Sequence, residues 1–154
     1  MKKPQIHLLA ISPLVLGYLL DRAIMRFAWH GAVITCFSAL FYLYWFFTGW
    51  VSFRWTTSRA ESILAGNSFA ILGFALVMVQ LAQGQFSPGI IGIAPQMFFL
   101  PAIRIAAHVQ NVLLFFAPIR ALWSLYFIAF GLILAVHHAG YLYAKRGSRS
   151  VWQD

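Results

Sequence analysis

The chain has 154 residues, of which 62% are hydrophobic and only 9% charged. A soluble domain of ordinary make-up is about 45–50% apolar and about 25% charged, and a chain this short buries only part of its surface on folding. A water-facing globule, a disordered chain and an ordinary nucleic-acid-binding domain are therefore excluded. The single cysteine rules out an internal disulfide, a CxxC redox pair and a thiolate metal centre. What remains is an integral membrane protein, and the fold class expected is all-α: a polytopic helix bundle forming one transmembrane domain over residues 1–154.

The charges divide the chain into uncharged runs. A crossing needs about 20 predominantly apolar residues, and the runs predict spans at about 5–25, 28–52, 62–83 and 121–143. The first follows Lys2 and Lys3 and carries Pro13, which removes one helical hydrogen bond and predicts a kink. Asp21, Arg22 and Ala23 follow it in place of a small-x-small cleavage site, so it reads as an uncleaved helix and not a signal peptide. The second ends in a dense aromatic run from Phe41 to Trp55, with Tyr42, Tyr44, Trp45, Phe46, Phe47, Trp50 and Phe53 between them. Such residues favour the membrane interface, and an aromatic belt is the expectation there; a surface for lipid or an apolar ligand is the alternative.

The third span is expected to begin near Ser58 or Glu61 and to stop at Gln83-Gly84-Gln85-Phe86-Ser87-Pro88-Gly89, a strong turn signal. Ser87 and Pro88 resemble a helix cap and first position. Pro95 and Pro101 then interrupt an apolar stretch, and Pro118 follows. Residues 88–117 are therefore expected to be interfacial or re-entrant, in addition to the four spans. Within them Arg104, His108 and Asn111 recur at i, i+4 and i+7, one polar stripe on an apolar helix. The last span is followed by Lys145–Asp154, expected to be a short cytoplasmic tail.

The net charge is +8. With the N-terminus inside, Lys2, Lys3, Arg54, Arg59, Lys145, Arg146 and Arg149 face the cytoplasm and Arg22, Arg26, Arg104 and Arg120 face outward, so the positive-inside rule favours both termini in the cytoplasm. Short loops and the absence of an organelle-type presequence point to a bacterial cytoplasmic (inner) membrane.

Small residues mark two helix-packing faces: Gly66, Ala70 and Gly73 on the third span, and Gly131, Ala135 and Ala139 on the fourth. Spacing of three or four lets a neighbouring backbone approach, either within the bundle or between copies. Asn67 and Gln80 are polar within the third span and, with Asn111, mark a candidate polar path. Two imidazoles at one depth could ligate a b-type haem. The candidates are His30 with His108, and His7 with His137 or its neighbour. His137 lies about 9 Å inside a helix that ends at residue 143, while His7 lies at the membrane edge. Metal ligands of other kinds are scarce, and no metal site or cofactor is expected apart from this haem possibility.

Only three acids are present, and no Ser/His/Asp arrangement or phosphate loop can be assembled. Catalytic residues are therefore not expected. The leading expectation is a non-enzymatic inner-membrane subunit, a scaffold, anchor or sensor, whose partners are the lipid bilayer and either further copies of itself in a homo-oligomer or other membrane proteins. An oligomeric channel or small transporter is the alternative, and a haem electron-transfer subunit a third.

Overall fold

The computed structural model describes residues 3–27, 31–84, 89–113 and 122–150. They form six helices: α1 (Lys3–Phe27), α2 (Gly31–Ser52), α3 (Arg59–Gly66), α4 (Ser68–Ala82), α5 (Ile90–Leu113) and α6 (Leu122–Ser150). No strand occurs among the described residues. Four stretches are long and apolar enough to cross a membrane: Gln5–Phe27, Gly31–Ser52, Ile90–Leu113 and Leu122–Ser148. The pair α3–α4 meets the same test only when taken together, and it is bent by 56° at its junction.

This differs from the sequence reading at three places. The segment expected to span at 62–83 is the bent pair. The segment expected to be interfacial or re-entrant, 88–117, is instead one helix over 90–113, long enough to cross. Residues 85–88 and 114–121, with the expected caps at Ser87 and Pro88 and the stop at Pro118, lie outside the described residues. The expected tail is also helical as far as Ser150, the end of α6.

The reason α5 survives two prolines is visible in its neighbours. A proline at position i has no N–H, so the carbonyl at i−4 loses its helical partner. In apolar surroundings that carbonyl must be met by something else. Pro95 releases the Ile91 carbonyl, and Gln80 of α4 donates its side-chain amide to it at 3.2 Å. Pro101 releases the Met97 carbonyl, and there α1 presents Gly17. A Cβ at that position would lie 1.7 Å from the Met97 oxygen. Only a bare Cα fits, at a range suited to a weak C–H···O contact. Pro13 of α1 is handled locally: it releases the Leu9 carbonyl, and Ser12 donates to it at 2.6 Å. α1 accordingly continues through Pro13 as one helix.

The bundle is organised around α5 and α6. α2 packs along α6, α1 along α5, and α4 fills the angle between α5 and α6. The α2–α6 contact is made by glycines, as a Cβ on Gly49 would meet the His137 carbonyl oxygen at 1.9 Å and one on Gly140 the Phe46 carbonyl oxygen at 2.0 Å. The core between the helices is aromatic and aliphatic: Phe41, Tyr42, Trp45, Phe98, Phe99, Tyr126 and Ile133, with Ala70, Ala102, Ala106 and Ala129 between them. Phe74 stacks on Phe130 with ring centroids 4.4 Å apart.

The proline repair gives a direct prediction. Gln80→Leu leaves the Ile91 carbonyl unpaired and should lower stability by about 1–3 kcal/mol. In a Pro95→Ala background residue 95 supplies its own N–H, so the same replacement should cost much less. Unfolding in detergent of the four chains of this cycle measures the coupling; an equal cost in both backgrounds would refute the repair.

Candidate functional site

The most polar interior region lies at the α3–α4 junction. α3 starts cleanly because Ser58 accepts from the Glu61 N–H at 3.1 Å while the Glu61 carboxylate accepts from the Thr57 N–H and hydroxyl at 2.8 and 2.7 Å. This is a variant of the capping box, and it confirms the expected start near Ser58. The helix ends eight residues later at the run Gly66-Asn67-Ser68. Asn67 serves as cap for both helices with φ −114° and ψ 17°. Its side-chain amide donates to the Ile63 carbonyl at 2.9 Å, and Ser68 donates to Ala65 at 3.0 Å. Side chains of this kind compete with the helical ladder for its own carbonyls, which accounts for a bend here.

The bend is held from outside. The Trp45 indole N–H of α2 donates to Asn67 Oδ1 at 3.2 Å, with both residues fully buried. Two turns further along α2, Ser52 donates to the Gly49 carbonyl at 2.7 Å and lies 2.6 Å from Ser62 of α3, which therefore donates to Ser52. From α6, His137 points at the same junction and is 1% exposed. A Cβ on Gly66 would come within 2.5 Å of His137 Nε2. Gly66 is thus the seat of an imidazole and not of another helix backbone. The Trp45 and His137 rings are 6.1 Å apart. Neither His137 nitrogen has a hydrogen-bond partner among the described residues, and no acid or hydroxyl is paired with it for proton transfer.

The other sequence candidates are distributed as follows. Arg104, His108 and Asn111 are all exposed on α5. Arg104 turns toward the start of α2, its Nε 3.3 Å from the Thr35 hydroxyl and its guanidinium against Gly31. Asn67 and Gln80 are buried and engaged as described, whereas Asn111 is on the outside, so the three do not share a path. Ala70 is fully buried and Gly73 packs against Phe99 and Pro95. Gly131, Ala135 and Ala139 face outward instead of into the bundle, and nothing lies within 4 Å of a Cβ placed on Gly131.

Of the haem candidates, His30 lies outside the described residues. His7 and His108 are exposed on α1 and α5, and His137 is enclosed with Gly66 filling the space beyond Nε2. Among the described residues no three His, Cys, Asp or Glu side chains come together.

The aromatic run also divides. Phe41, Tyr42 and Trp45 are core residues, whereas Phe47 is exposed and Trp50, with Arg54 stacked 4.8 Å above its ring, is partly so. Sequence reasoning took Trp45 for a belt residue. The nearest signal was its helical spacing from Phe41 and Ser38, which share its buried face.

These features define an all-helical chain with span-length helices and a sealed polar junction. No family model, curated protein or solved structure matches the chain.

Asn67→Ala removes the acceptor of a buried indole N–H and should destabilise the chain by about 1–3 kcal/mol. The loss should shrink when Trp45 is already Phe. Unfolding of the single and double variants in detergent tests this, and an unaltered stability of Asn67→Ala would disprove the brace.

Proposed function

We propose that the chain is a non-enzymatic subunit of the bacterial cytoplasmic membrane that works as a homo-oligomer. The observation that supports this is the outward ladder Gly131, Ala135 and Ala139 on α6. Small residues four apart let a second helix approach closely in lipid, and inside the chain that role belongs to other glycines, Gly49 and Gly140. His108 and Asn111, exposed on a span-length helix, add polar groups that favour a protein neighbour over lipid tails. At the α3–α4 junction Trp45 is bonded to Asn67 and Ser52 to Ser62, and His137 is enclosed, an arrangement that suits a structural task.

In this reading the bent pair enters the membrane and returns to the same side. Seven basic residues (Lys2, Lys3, Arg54, Arg59, Lys145, Arg146 and Arg149) then lie on the side of the termini and three (Arg22, Arg26 and Arg120) on the other. If the pair crossed instead, the division would be five against five, with no bias for the charge rule to act on. Both termini are thus cytoplasmic.

Two measurements test the proposal. Native mass spectrometry after gentle extraction should give a whole multiple of 17.4 kDa, and Ala135→Leu should shift it to the single chain. Mass from a different polypeptide would replace the homo-oligomer with a hetero-complex, and haem mass would overturn the non-redox reading. A fluorescent protein fused after Asp154 should fold and fluoresce, and alkaline phosphatase fused there should be inactive; the opposite pair of results would place five crossings in the chain.

A further inference from the structure

α1 and α2 are consecutive, yet they barely meet. Each leans on α5, and a groove of about 770 Å³ is left between them. That volume falls in the range of about 300–1,000 Å³ typical of small-molecule sites. Its walls include Leu16, Leu19, Phe37 and Leu40, and Pro101 of α5 lies at its floor. The polar lining residues are Ser12 and Tyr44, and they are spent on each other: Ser12 donates to Leu9, so Tyr44 donates to Ser12 at 2.7 Å. The groove therefore offers an apolar wall with no free hydrogen-bonding group, which suits an alkyl chain.

One end of the groove is basic. Arg26 follows the lining residue Ala23 by three positions and Arg22 precedes it by one, so α1 carries two guanidiniums where the groove ends. Arg104 follows Pro101 by three positions, on the same face of α5, and its guanidinium rests against Gly31 at the start of α2. Gly31 is five residues beyond Arg26, at most about 18 Å along the chain. All three arginines thus stand within a turn of residues that line the groove, Ala23 on α1 and Pro101 on α5. Arg22 lies over the Tyr18 ring at 5.2 Å and Arg26 over Phe27 at 5.8 Å.

We propose that the α1–α2 groove and the cluster Arg22, Arg26 and Arg104 together bind one anionic membrane lipid, its acyl chain along Leu16, Leu19 and Leu40 and its phosphate on the arginines. The charge complementarity selects an anionic phospholipid over a zwitterionic one or a partner helix. Arginine suits the task because its planar fork binds phosphate oxygens in pairs. The site uses no residue of the α6 ladder, so it stands or falls without the oligomer.

The test is native mass spectrometry of the delipidated full chain with phosphatidylglycerol or phosphatidylcholine of identical acyl chains. The bound anionic lipid should appear at concentrations at least about tenfold lower. Arg26→Gln with Arg104→Gln should erase the preference, and Arg26→Lys with Arg104→Lys, which keeps the charge, should retain most of it. Leu16→Trp, which fills the groove, should weaken both lipids. Equal binding of the two lipids would overturn the proposal. So would competition by millimolar inorganic phosphate alone, which would mark a free-anion site, and so would an unchanged affinity in Leu16→Trp. A dimer that excludes lipid but binds it once dissociated would show a second copy in the groove and would overturn it as well.

Discussion

The structure depends on one constraint: a carbonyl released by proline in an apolar helix has to find another donor. Among the described residues Pro13, Pro95 and Pro101 lie inside helices and release three carbonyls, and each is met by a specific residue. Ser12 meets Leu9, Gln80 meets Ile91 and the bare Cα of Gly17 approaches Met97. Two of these contacts are between helices, so the repair of α5 also sets where α1 and α4 sit. The placement of α1 in turn leaves it apart from α2, and the lateral groove is a product of that geometry. What looks like a weakness of α5 is the source of its contacts.

The sequence was legible where hydropathy alone decides. The spans at 5–25, 28–52 and 121–143 correspond to α1, α2 and the greater part of α6, because long uncharged runs have few alternatives in a membrane. The start of α3 was legible from its capping residues. α5 is not, because Pro95 and Pro101 read as local breakers and their remedies lie on other helices, at Gln80 and Gly17. A single sequence does not announce such partnerships. The packing faces show the same limit. Spacing singled out Gly131, Ala135 and Ala139, but Gly49 and Gly140 make the internal contact, and they stand on two different helices with no repeat of their own to notice.

The polar junction was half visible. Asn67 and His137 are conspicuous as polar residues in apolar runs, which by themselves suggest a polar path for the one and haem ligation for the other. The structure joins them to Trp45, Ser52 and Ser62 around a bend, a grouping that draws on α2, α3, α4 and α6. Buried polar groups of this kind fix one arrangement among many apolar alternatives. The unpartnered imbalance sits at His137, whose two nitrogens are enclosed with Gly66 beneath them. A helix that bends where an imbalance of this sort is stored is held by its neighbours more than by its own ladder.

The separation of α1 from α2 bears on how the protein is made. Gly17 and its contact Met97 are eighty residues apart, and synthesis at about 5–20 residues per second places several seconds between them. During that interval α1 has only its smaller contacts with α3 and α4 to lean on, since its main partner α5 has yet to be made. It waits in the bilayer without its main partner, with Ser12 keeping the Leu9 carbonyl, released by Pro13, covered from within. The self-contained repair belongs to the helix that has to wait, and the repairs that need a neighbour belong to the helix whose neighbours are already there.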